Sequence, residues 1–218
     1  MAKKMKEKIL RSFNLTELMA SDDENGHIVE GYAAVFNSKT NIGGIFDEQI
    51  DSRAFDSCDF DDACLLVNHD TSRLALARCR RNTSNSTLQL SVDSKGLRPR
   101  ANLDIENNTE ARNLYSAIKR GDINGMSFMF IVEDDKWEGL DTDMPLRTIT
   151  KISKVYEVSA VNFPAYADTE IYARSTDALE NEKRVLENAR SVALVNDKNL
   201  EVERQKALFH IKHSKGGK

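Results

Sequence analysis

No stretch of this chain approaches the ~20 consecutive apolar residues that a membrane-spanning helix needs. Its basic start (Lys3, Lys4, Lys6, Lys8, Arg11) is not followed by the apolar segment of a secretory signal. Cysteine is scarce. Cys58, Cys64 and Cys79 are odd in number and irregular in spacing, so neither a disulfide framework nor a zinc site is expected, and the chain reads as cytosolic. An excess of positive charge is missing too: with a net charge of −4, no nucleic-acid partner is expected, and without an apolar span no membrane one. What remains is 40% hydrophobic and 30% charged over 218 residues, the balance of a soluble globular domain with tails.

Three regions are expected. Residues 1–25 are charged, with few periodic apolar positions and the run Asp22-Asp23-Glu24, and read as a mobile arm with one short strand near Ser12–Leu18. Residues 26–175 carry strand patterns. His27–Phe36 is β-branched, aromatic and small, with Gly31 marking a bulge or a close backbone approach. Asp47–Phe55 reads as a short helix or irregular turn facing Ile50, Ala54 and Phe55 inward. Asp56, Asp59, Asp61 and Asp62 resemble a metal loop only superficially, lacking the glycine and closing glutamate of a calcium site, and read as a solvated turn. Cys64–Val67 reads as a buried strand. Leu74–Arg81, Thr87–Val92 and Leu97–Leu103 follow as a three-stranded meander, with Pro99 requiring an edge or a bulge. Asn107–Arg120 is the clearest helix, with Asn107 as cap, Glu110 three residues on, an inward stripe of Ala111, Leu114, Tyr115 and Ile118, and Gly121 after its end. Met126–Val132 and Arg147–Phe163 are strands separated by an acidic loop, and Pro164 ends the second. Residues 176–218 change character, with no Gly or Pro before Gly216. Leu179, Leu186, Ala193, Leu200 and Ala207 recur in heptad spacing, so a long, partly amphipathic helix separate from the core is expected.

Three residues do not suit their surroundings. Ser127 is a lone hydroxyl in an apolar strand, His69 stands where a core strand breaks into a turn, and Glu157 is flanked by Val155, Val158 and Val161. A buried hydroxyl without a partner costs about 1–3 kcal/mol, and a buried carboxylate must be paired. Two of them have a plain explanation: Ser127 bonding a backbone carbonyl, His69 bonding its own turn. One arrangement satisfies all three, in which His69 takes the Ser127 proton and Glu157 holds the imidazole in the useful tautomer. The order fits neither a nucleophile elbow, because Met129 stands where the second glycine belongs, nor the chymotrypsin order, because the acid comes last.

Leu66-Val67-Asn68-His69-Asp70, Arg120-Gly121-Asp122-Ile123-Asn124-Gly125-Met126-Ser127-Phe128 and Tyr156-Glu157-Val158-Ser159-Ala160-Val161-Asn162-Phe163-Pro164-Ala165-Tyr166, with the earlier Glu30-Gly31-Tyr32-Ala33-Ala34-Val35-Phe36, resemble the signature blocks of tailed-phage prohead proteases. These are capsid-maturation serine endopeptidases whose fold is similar to herpesvirus assemblin. The resemblance spans residues 27–174 and implies Ser127 as nucleophile, His69 as base and Glu157 as the acidic third member. Two positions depart from the family pattern: Arg53 stands where a glycine often precedes Ala-Phe, and Met129 where a glycine often follows the serine.

The fold expected is α+β: a closed, mostly antiparallel barrel of about seven strands flanked by helices, with a long C-terminal helix. The resemblance implies cleavage of the scaffolding region of the major capsid protein precursor, and of the protease itself, inside the assembling prohead in the host cytoplasm, without cofactor or metal. A non-catalytic assembly protein of the same fold and a serine hydrolase of other substrates are the alternatives.

Overall fold

The computed structural model describes residues 8–13, 18–24, 26–162 and 176–214. Residues 1–25, expected as an arm with a short strand near Ser12–Leu18, contribute two strands: β1 (Lys8–Phe13), which overlaps that stretch at Ser12 and Phe13, and β2 (Met19–Asp23); residues 14–17 lie outside the described residues. Next come β3 (Gly26–Glu30) and β4 (Ala34–Val35), then the hairpin of β5 (Thr40–Ile42) and β6 (Phe46–Ile50). The segment read as helix or turn is thus partly strand. Ile50, Ala54 and Phe55 do face inward, but Asp47-Glu48-Gln49 masked the alternation.

β7 (Cys64–Val67) and β8 (Ala77–Arg78) pair with each other, and β9 (Leu88–Val92) pairs with β10 (Gly96–Leu103). The expected meander is therefore broken, because β8 pairs with β7 and not with β9. Helix α1 (Thr109–Lys119) starts one residue later than its expected cap: Asp104 accepts the Asn107 N–H, and Asn108 caps by accepting from the N–H groups of Glu110 and Ala111. Gly121 follows the helix at φ 81°. The strand read as Met126–Val132 runs further, as β11 (Gly125–Glu138), and β12 spans Leu146–Val161. Phe163 and Pro164 lie outside the described residues. Helix α2 is Thr176–Ser214.

The expected barrel is replaced by two sheets. One has seven strands in the order β1-β11-β12-β6-β5, with β7 on β12 and β8 on β7, and it is mixed. β6 and β7 run parallel to β12 along successive stretches, Leu146–Ile149 and Glu157–Ala160. The other sheet is antiparallel, β2-β3-β10-β4 with β9 on β10. Alternation in a sequence reports which face of a strand is buried and not which strand lies beside it. Pro99 lies in a strand with neighbours on both sides, but opposite the interruption between β3 and β4, where Gly31 donates to its carbonyl at 3.3 Å. This is the bulge that Pro99 and Gly31 both called for. Gly96 is obligatory for β4 to approach β10: a Cβ there would lie 1.9 Å from the Ala34 carbonyl oxygen.

The core lies between the sheets and under α1. Phe128, Phe130, Ile149, Ile152, Val155 and Val158 of the mixed sheet meet Val29, Leu88, Leu90, Leu97 and Leu103 of the other, and Leu114 and Ile118 cover them. A smaller cluster joins Ile42 and Phe46 to Leu186 of α2, with Trp137 edge-on to Phe46.

Candidate active site

Three adjacent strands bring the residues of interest onto one sheet face. Ser127 of β11 pairs across the ladder with Ser159 of β12, which pairs in turn with Leu66 of β7. One step along, Met129 opposes Glu157, and Glu157 opposes Cys64. Because side chains alternate along a strand, Met126, Phe128, Val158 and Ala160 enter the core while Ser127, Glu157 and Ser159 project from the opposite face. That face is dry: Ser127 and Ser159 are fully buried and Glu157 is 3% exposed.

His69 arrives from the end of β7. Asn68 and His69 both adopt left-handed backbone, φ 51° and 60°. Such residues cost of order 1–3 kcal/mol each and persist only where surrounding bonds fix them. The Asn68 N–H donates to the Ala160 carbonyl, and its side-chain oxygen accepts from the Asn162 N–H, each at 3.0 Å. The His69 N–H donates to the Ser159 hydroxyl at 3.2 Å. The turn is thereby fastened to β12 at three places.

The side chain follows. His69 Nδ1 lies 2.5 Å from Glu157 Oε1, and Glu157 Oε2 accepts from the Ser159 hydroxyl at 2.6 Å. An ionised carboxylate only accepts, so Nδ1 carries the proton, and a ring held this way in its neutral form presents Nε2 as its acceptor. Nε2 is buried and has no hydrogen-bond partner. His69 therefore does not bond its own turn; it bonds the carboxylate. Ser127 lies on the same face, but its hydroxyl donates to the Arg11 carbonyl at 2.8 Å. In this conformation the serine is satisfied as an ordinary buried hydroxyl, while the imidazole nitrogen that would accept its proton is not satisfied.

Arg11 is held by a buried ionic network. Its Nε and second terminal nitrogen bond both oxygens of Glu48, at 2.5 and 3.2 Å. Arg147 bonds Glu48 at 3.0 Å and Asp135 at 2.8 Å, and Glu182 of α2 approaches Arg11 at 3.1 Å. Burial alone would push the Glu48 carboxyl up, but the charges of Arg11 and Arg147 outweigh it and hold the group below its ordinary value. The network fixes β1 beside β11, with Ser12 opposite Ser127 in the register.

Cys64, opposite Glu157 in the ladder, is another side chain that could serve as a nucleophile. Burial pushes its thiol up, against the Arg78 charge and with help from the Glu157 charge, which disfavours a thiolate. The acidic group at 56–62 is spent locally: Asp59 pairs with Lys154, Asp61 accepts from the Arg81 N–H, and Asp62 pairs with Arg80. Among the described residues, no group of three or more His, Cys, Asp or Glu could hold a metal ion.

Sequence reasoning singled out His69, Ser127 and Glu157, and the structure brings His69 and Glu157 into contact and places Ser127 on the same face. It missed Ser159, although a second polar residue two positions beyond Glu157 must share its face. It also missed Arg11, whose buried ion pairs are indistinguishable in sequence from the charges of a solvated arm.

A family model described as caudovirus prohead serine protease matches residues 15–184. The prohead protease of Enterobacteria phage HK97 is 29% identical over 170 residues, covering 78% of this chain and 70% of that protein. Among solved structures, the bacteriophage T4 capsid assembly protease aligns over 72% of this chain and 98% of its own, at 10% identity and a TM-score of 0.40.

Proposed function

The chain belongs to the caudovirus prohead serine protease family, and from that premise we propose that Ser127 is its nucleophile, His69 the general base and Glu157 the carboxylate that orients the base. The observation that carries this assignment is the buried His69 Nδ1–Glu157 contact together with an unpartnered Nε2. A neutral imidazole so held has one use for Nε2, to accept a proton. In the proposed step the Ser127 hydroxyl gives up the Arg11 carbonyl for that nitrogen. Such a hydroxyl–carbonyl bond contributes a net ~0.5–1.5 kcal/mol, so the exchange is within thermal reach. Ser127 Oγ then attacks the scissile carbonyl as its proton passes to Nε2. The charged ring is stabilised by Glu157, and it returns the proton to the leaving amine as the acyl-enzyme forms. Water repeats the sequence and frees the serine.

The proposed substrates are the scaffolding region of the major capsid protein precursor and the protease itself, cleaved inside the assembling prohead in the host cytoplasm. Residues 26–175 are proposed as the catalytic domain and 176–218 as a tail that recruits the enzyme to scaffold helices. The decisive experiment is co-expression with the capsid precursor, followed by intact-mass analysis of the wild type and Ser127→Ala. Processing by the wild type alone is expected. A second reading, a non-catalytic assembly protein of the same fold, is favoured by the Ser127–Arg11 bond, which gives the hydroxyl a structural use. Capsid processing that survives Ser127→Ala would establish it.

A further inference from the structure

We infer that Ser159 is a positioning residue for the reaction, its hydroxyl tying the backbone of His69 to the carboxylate of Glu157 so that base and acid are held as one unit. The inference rests on the proposed roles of His69 and Glu157. Ser159 is fully buried between Val158 and Ala160, where a hydroxyl has no reason to be unless it is used.

It is used twice. It accepts the His69 N–H and donates to Glu157 Oε2, while Glu157 Oε1 receives the imidazole. The bonds form a closed circuit: backbone of His69, hydroxyl of Ser159, carboxylate of Glu157, ring of His69. Both ends of the histidine are referred to one oxygen atom.

Removing that atom has two effects. The second carboxylate oxygen loses its donor, so the terminal torsion of Glu157, which is intrinsically broad, is no longer fixed. The buried His69 N–H loses its acceptor on a turn whose two left-handed residues depend on such bonds. The imidazole would then wander relative to Ser127, and misplacement by about 1 Å costs up to roughly 10²-fold in rate. Ser159 is also the ladder partner of Ser127, so the same backbone position that sets the circuit faces the nucleophile.

The test reads nucleophile activation without any knowledge of the cleavage site. The second-order rate of Ser127 labelling by a fluorophosphonate is measured on the full chain by intact mass, for the wild type, Ser159→Ala, Glu157→Gln and the double variant. Ser159→Ala should label roughly 10–100-fold more slowly, whereas in the Glu157→Gln background the same change should cost clearly less, because the share of its effect that runs through the carboxylate is already lost. Ser159→Cys, of similar volume but a weaker donor, should fall between wild type and Ser159→Ala, and it decides the matter if the alanine variant is insoluble. Wild-type labelling by whichever variant folds overturns the inference, as does an equal fold-loss in the Glu157→Gln background, which would mark a merely structural role. If instead labelling persists in Ser127→Ala, or His69→Ala labels as fast as wild type, the underlying assignment of nucleophile and base has failed.

Discussion

At the scale of single residues, the polar groups on the sheet face make separate predictions. Ser127→Ala and His69→Ala should each abolish capsid-precursor cleavage without unfolding the domain, and combining them should cost no more activity than either alone. Glu157→Gln keeps shape but cannot stabilise the charged ring, and a loss on the order of 10³–10⁴-fold in kcat is expected by analogy with other triads. Glu48 makes a different prediction, about stability. Its folded carboxyl is held below the ordinary 4.5, so its contribution is complete above that value and is lost as pH falls through the lower, folded value. Glu48→Gln leaves Arg11 and Arg147 buried without their shared anion, and should cost about 3–5 kcal/mol. It should also flatten the acid limb of the stability curve in urea titrations between pH 2 and 6.

At the scale of elements, α2 divides in two. Glu182, Leu186 and Arg190 meet Arg11, the Ile42–Phe46 cluster and the carbonyls of Leu140 and Thr142. Beyond them Val192, Leu194, Val195, Leu200, Val202 and Leu208 are all more than half exposed. Truncation after Ser191 should therefore leave the melting temperature unchanged. Truncation after Arg174 uncovers Phe46 and should lower stability by at least the roughly 2–5 kcal/mol of a lost buried leucine. If the outer half recruits the enzyme, the shorter cut yields protein that still cleaves precursor in solution but is missing from purified proheads. Gly96→Ala tests the other sheet: with the Ala34 oxygen in its way, β4 must move, and a marked drop in melting temperature is expected. The sequence announced α1 and α2 clearly because helices are coded by neighbours in the chain. It announced β7, β9 and the inner part of β11 because apolar runs and alternation are local too. It concealed β6, whose Glu48 is buried by distant arginines, and apart from the β9–β10 hairpin it concealed the pairings, since register against a remote strand leaves no local trace. His69, Ser127 and Glu157 were legible because each contradicts its own neighbourhood. Ser159 was less so: it must share a face with Glu157 two positions back, but a serine beside an alanine does not by itself contradict its neighbourhood.

At the scale of the whole molecule, the mixed sheet is assembled on its last strand. β12 is the parallel partner of both β6 and β7 and the antiparallel partner of β11, and it supplies Glu157. Such non-local pairings make folding slow, and refolding of the full chain should be a millisecond-to-second process, measurable by stopped-flow fluorescence of Trp137. The arrangement also sets when the protein can first act. His69 leaves the ribosome 88 positions before the carboxylate that its ring contacts, a wait of roughly 4–18 s at ordinary elongation rates of about 5–20 residues per second. Until then the proposed base has no acid, β7 has no β12, and β11, which carries the proposed nucleophile, has an open edge. A ribosome-stalled chain ending before Leu146 should therefore not react at Ser127 with a serine-directed reagent, whereas a released chain should. Synthesis itself is a timer, and a newborn protease is harmless to its unfinished neighbours for as long as its final strand is unmade.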